Sequence, residues 1–140
     1  MAISVGDKLP ESEFFHLTEK GPVKFSSNEI FDDKKVVLFG LPGAFTPTCN
    51  NNHLPGFIEH EDAIKAKGVD EIVVVSCNDV FVMDAWSSIS GGEGKIRFVA
   101  DPFGDFVKAV GLDVDLSVAS LGLRSQRFAM IVENRNDQLP

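Results

Sequence analysis

Thr46, Pro47 and Cys49 stand together in the segment GLPGAFTPTCNNNHLPGF, residues 40–57, and their types and spacing suit thiol chemistry. Threonine followed by proline is a helix-start pair, in which the hydroxyl caps the first turn and proline takes the first helical position. On that register Cys49 is the third helical residue. Unpaired N–H groups and the positive end of the helix dipole favour the ionised sulfur there. The thiolate is the reactive species, so the position predicts a nucleophile. Taken alone, a single cysteine is more often a small buried apolar residue. Pro42, Gly43 and Pro47 beside it describe a turn, which is not a typical core position. His53, four residues after Cys49, makes a Cys/His pair, but zinc needs at least three protein ligands and no third appears at ligand spacing. A polar residue near the pocket is the better reading of His53; His16 and His60 carry no signal.

The elements that must position this turn can be read around it. Short apolar runs dense in β-branched residues predict buried strands at 36–39, 72–76, 96–99 and 128–132. Between them lie segments of helical period. The longest, 47–67, carries Leu54, Phe57, Ile58 and Ile64 as its apolar stripe and ends at Gly68; Pro55 inside it predicts a kink. A second has Val82, Ala85, Trp86 and Ile89 on one face, with Asn78 or Asp79 as N-cap. A third runs over 103–110, capped by Asp101, with Pro102 in the first helical position and Gly111 as the stop. Strand, helix, strand with crossovers of this length predicts parallel pairing and an α/β layered fold, three helices around four or more strands. The reactive turn then falls at the carboxyl end of a parallel strand, where open α/β sheets place their sites.

The chain as a whole narrows the choice. Its 140 residues suit one domain, and 44% hydrophobic with 24% charged residues is a globular composition. A net charge of −8 and the lack of any basic run exclude a nucleic-acid surface. The longest apolar stretch, residues 36–43, is too short to cross a bilayer, so no membrane partner is expected. The opening MAISVGDKLP has no pattern of export or import, and two cysteines do not form a disulfide framework. A cytoplasmic location is the expectation.

The pattern Pro42-x-x-x-Thr46-x-x-Cys49 resembles the active-site signature of the peroxiredoxins, and PGAFTPTCNNNHLPGF resembles their type II or peroxiredoxin-five subfamily. CNDVFVMDAW and LGLRSQRFAM resemble the same subfamily further downstream, in the same order, so the likeness reaches to about Val132. The resemblance implies a thioredoxin-like fold, a central mixed sheet flanked by helices, as a single domain over 1–140. It also implies a further short strand and terminal helix after the last strand; this sequence has ENRNDQLP there, a polar tail without periodicity, and the expectation is a domain without them.

By position, the resemblance implies that Cys49 is the peroxidatic cysteine, that Thr46 offers its hydroxyl to the peroxide and that Pro42 shields the pocket. Arg127, just before FAMIV, matches the family arginine that approaches the thiolate; Arg124 matches a second one with a supporting role. Thr46, Gly43 and Arg127 would contact substrate. The implied reaction is reduction of hydrogen peroxide or alkyl hydroperoxides through a sulfenic acid, without metal or organic cofactor. Donors aimed where charge develops, from the Cys49 N–H, Thr46 and Arg127, would stabilise its transition state. Cys77 ends the apolar run IVVVS and reads as a buried structural thiol, away from the expected place of a resolving cysteine. A one-cysteine cycle follows, with an external thiol, glutaredoxin with glutathione or thioredoxin, as reductant, and a homodimer as the assembly. The same thiol could instead serve a redox sensor that relays oxidation to a partner, and the scaffold could be a non-catalytic binding module; the sequence leaves both open.

Overall fold

The computed structural model describes residues 2–47 and 54–134, with Asn134 as backbone only. The strands predicted from apolar runs are all present: β3 (Lys34–Gly40), β4 (Glu71–Ser76), β5 (Arg97–Ala100) and β8 (Phe128–Asn134). β3 pairs in parallel with β4, β4 in parallel with β5, and β8 lies antiparallel on the other side of β3. The runs of β3 and β4 are continuous because both faces of the sheet are covered there. β8, expected to be buried, is instead an edge strand in which Ala129 and Ile131 are exposed and only Val132 of the described side chains is buried. Along β3, Val37 and Phe39 join one core with Leu54, Met83 and Trp86, while Val36 and Leu38 join a second with Phe14, Phe31, Phe106 and Val107. β4 splits in the same way, Ile72 and Val74 against Val73 and Val75. This is a mixed sheet between two helical layers, the architecture that the sequence predicted.

An N-terminal hairpin was not legible in advance. β1 (Glu13–Thr18) and β2 (Gly21–Ser26) pair antiparallel, and β1 continues onto β5, giving the strand order β2-β1-β5-β4-β3-β8. Of β2 only Phe25 is buried, so the strand has no apolar run to announce it. It is held by pairing and by its turn: the Thr18 hydroxyl donates to the Gly21 carbonyl at 2.8 Å, and Gly21 takes φ +103°. Pro22 is tolerated because β2 is an edge strand. A second small hairpin, β6 (Asp113–Asp115) with β7 (Leu123–Ser125), was also not anticipated.

The helices follow the predicted places with corrected limits. After α1 (Asn28–Phe31), a short helix that the sequence reading did not include, the long segment 47–67 is described from α2 (Leu54–Glu59) onward and continues as α3 (Glu61–Lys65). The interruption lies at His60 (φ −100°, ψ 12°), five residues beyond Pro55. Pro55 sits at the first described turn of α2, where the hydrogen bond it lacks would reach a residue outside the described ones. Leu54 is buried, Phe57, Ile58 and Ile64 pack against the core as expected, and the Phe57 ring stacks on Phe39 at 4.0 Å. Gly68, at φ +94°, ends the segment.

α4 (Val80–Ser90) is capped by Asp79, whose carboxylate accepts from the N–H groups of Phe81 and Val82, both at 2.9 Å. Its buried residues are Val80, Met83 and Trp86; Ile89 is 74% exposed and Ala85 also faces out. The predicted stripe was therefore rotated, because the helix begins at Val80 and the i, i+3, i+6 row from that residue meets the sheet.

α5 (Asp105–Ala109) corrects the third helix, which begins at Asp105 and not at Pro102. Gly104, left-handed at φ +74°, is its N-cap, and 101–104 form a turn closed by the Gly104 N–H on the Asp101 carbonyl at 3.0 Å. Asp101 still does a cap's work from further back, since its carboxylate accepts from Phe106 N–H (3.2 Å) and Val107 N–H (3.1 Å). Burial pushes that carboxyl up from its ordinary value, against the pull of these two donors. Gly111 ends the segment at φ +75°.

Candidate active site

The carboxyl ends of β3, β4 and β5 and the amino end of β8 lie at one edge of the sheet, and the turn leading to Cys49 leaves from there. Cys49 and His53 themselves lie outside the described residues, as do the predicted helix start around Cys49 and the rest of 48–53. The approach to it is described as far as Pro47, which is helical.

Several backbone groups of this approach are tied to specific partners. The Pro42 carbonyl accepts from Arg124 Nη1 at 2.9 Å, and Arg124 Nε donates to the Leu121 carbonyl at 2.9 Å. Gly43 makes room for that guanidinium, since a Cβ at this position would stand 2.5 Å from Arg124 Nη1. The Gly43 carbonyl accepts from the Thr46 hydroxyl at 2.7 Å and from the Thr46 N–H at 3.3 Å. The Ala44 N–H donates to Asn78 Oδ1 at 2.8 Å. Phe45 is left-handed at φ +65°, an uncommon conformation for a bulky side chain. The structure thus brings Pro42, Gly43, Thr46 and Arg124 together.

The Thr46 hydroxyl behaves differently from the sequence reading, which used it as a donor. A carbonyl oxygen can only accept, so the Thr46 proton is committed to Gly43 and its oxygen is left to accept. Arg127 is exposed and directly precedes β8. Gly40 pairs with Phe128, so one further step along the antiparallel register brings Arg127 level with Leu41, at the root of the same turn.

Cys77 follows β4 and is half-buried against the second core, less deeply than its sequence context suggested. Burial, reinforced by the Asp101 carboxylate, pushes its thiol up to about 12, while Arg124 and Lys108 pull the other way. It is therefore neutral at physiological pH and a poor nucleophile.

Two residues of this neighbourhood were undervalued by the sequence reading. In the sequence Asn78 reads only as a helix cap and Arg124 only as an accessory. The available signal was topological: segments that follow adjacent parallel strands must meet, so residues just after β4 face the turn just after β3.

The family described as Redoxin matches residues 4–136. Peroxiredoxin-2C of Oryza sativa subsp. japonica is 47% identical over 133 residues, 94% of this chain and 82% of the relative. The crystal structure of reduced Prx3 from Vibrio vulnificus in complex with H2O2 matches with a TM-score of 0.89 at 49% identity, over 94% of this chain and 82% of that one. Peroxiredoxin 5 from Alvinella pompejana matches with a TM-score of 0.85 at 35% identity, over 94% and 84%. The match over residues 4–136 and relatives at nearly half identity define a redoxin. The chain belongs to that family and, within it, to the type II peroxiredoxins. It is a thiol-dependent peroxidase.

Proposed function

We propose that Cys49 is the peroxidatic residue of a one-cysteine cycle. The Cys49 thiolate attacks one oxygen of ROOH, the sulfur–oxygen bond forms as the oxygen–oxygen bond breaks, and RO⁻ leaves to be protonated to ROH. The sulfur is left as a sulfenic acid. An external thiol then condenses with it, releasing water and forming a mixed disulfide, and a second thiol restores Cys49 while the pair of reductant thiols is oxidised. Thr46, as an acceptor, takes the hydrogen bond of the peroxide O–H and so orients substrate, with Gly43 beside it. Arg127 supplies positive charge where the leaving oxygen develops its own. Pro42, fixed by Arg124, covers the turn from water.

The observation that carries this reading is the tethered turn 42–46, held from neighbouring elements three residues short of the cysteine. The neutral, half-buried Cys77 favours an outside reductant over an internal resolving thiol. That reductant is glutaredoxin with glutathione, or thioredoxin, and a cytoplasmic thiol pool would supply it. Mass spectrometry after one equivalent of peroxide, with a sulfenate trap present, should find the added oxygen on Cys49; oxygen on Cys77 instead would overturn the assignment.

A homodimer is part of the same proposal. Phe45, Phe81 and Phe103 are 43%, 61% and 66% exposed, and each lies in the segment following one of the parallel strands β3, β4 and β5. The dimer contact is assigned to these three rings. Phe81→Asp should shift the sedimentation coefficient from dimer to monomer at micromolar concentration. A wild-type chain that already sediments as a monomer would remove the dimer.

A further inference from the structure

We propose that Asn78 is a positioning residue for the peroxidase reaction: its side-chain oxygen, fixed by the Ser76 hydroxyl, sets the place of the Pro42–Thr46 turn and thereby of Thr46 against the reacting peroxide. The inference rests on the reading of Cys49 given above.

The orientation of the amide follows from its partners. Ala44 N–H can only donate, so the atom it meets at 2.8 Å is the oxygen of Asn78. Ser76 Oγ lies 2.6 Å from that same oxygen and must donate to it as well. Ser76 is itself immobilised. It is fully buried, it is the last residue of β4 in register with Ala100, and its carbonyl accepts the Asp101 N–H at 2.8 Å. Asn78 is followed by Asp79, the cap of α4. The amide therefore hangs from two rigid elements and reaches across to a third.

The turn it holds needs such a hold. Phe45 in the left-handed region is strained, and a strained residue persists only where its surroundings over-determine it. Arg124 restrains Pro42 on one side of Gly43 and Asn78 restrains Ala44 on the other. Thr46 is fixed in turn by the Gly43 carbonyl lying between those two tethers. Without the Asn78 oxygen, Ala44 N–H, on a residue only 8% exposed, loses its partner. The turn is then free to relax Phe45, and Thr46 moves with it. Misplacement by about 1 Å can cost on the order of 100-fold in rate.

The test uses the full chain carrying Asn78→Ala and, separately, Ser76→Ala, with Cys49→Ser as control. Three quantities are measured: the rate of Cys49 oxidation by hydrogen peroxide, the rate of its alkylation by iodoacetamide, and the melting temperature. Alkylation needs the thiolate but not the peroxide-orienting turn. For Asn78→Ala the peroxide rate should fall on the order of 10- to 100-fold, with alkylation changed less than about threefold; Ser76→Ala should show a smaller loss of the same kind. An unchanged peroxide rate, or equal losses in both rates, would overturn the inference. If Asn78→Ala does not fold, Ser76→Ala carries the same comparison. Turnover surviving in Cys49→Ser would sink the underlying reading instead, so the two failures are distinguishable.

Discussion

Replacing Cys49 by serine should bring peroxide turnover down to the uncatalysed background, while Cys77→Ser should keep most of it. The first expectation follows from the chemistry: a serine hydroxyl is not ionised near neutral pH and cannot accept oxygen as sulfur does. The second follows from the surroundings of Cys77, whose thiol is pushed up to about 12 by burial and by Asp101. A raised thiol has a definite linkage sign. The folded protein holds the proton more tightly than the unfolded chain, so the stability contributed by neutral Cys77 is complete below the ordinary thiol value, near 9. It is lost as pH rises through about 12. Native alkylation at pH 8 should consequently modify one thiol, Cys49, and alkylation after unfolding two. Steady-state assays with a thiol reductant would check the activities; equal loss in both variants would indicate a two-cysteine cycle.

Arg127→Ala should slow oxidation of Cys49 by on the order of 10²–10³, the usual cost of removing one donor aimed at developing charge. Its melting temperature should stay close to that of the parent chain, because Arg127 is exposed and contributes no buried apolar surface. The position is what makes the large effect credible. Arg127 enters β8 one step beyond the Gly40–Phe128 pair, where the antiparallel register returns the chain to the base of the reactive turn. Stopped-flow oxidation with peroxide in single turnover isolates the step from reduction. An unchanged rate would take Arg127 out of the site and leave its charge to another role.

The assignment of work among the two arginines shows what a linear reading can miss. Arg124 stands three residues earlier and was given a minor part, yet its guanidinium spans to the Pro42 carbonyl and to Leu121. Nothing in LGLRSQRFAM says which arginine turns inward. That is decided by β7, which pairs with β6 and presents Arg124 toward the Gly43 backbone, where the lack of a Cβ admits it.

The sequence by itself determined the layered α/β architecture, four strands of the central sheet, a cap for α4 at Asn78 or Asp79, and the turn before Cys49. Each of these is a local matter, written as runs of β-branched residues, as turn residues or as the Thr-Pro pair before Cys49. The tertiary structure decided the rest. The β1–β2 hairpin is seated because β1 finds β5 as a neighbour, and Asn78 and Arg124 meet one short turn from opposite sides. Those outcomes depend on which strand ends lie side by side. Hydrogen bonds between residues 34 and 82 positions apart leave no periodicity for a sequence to display.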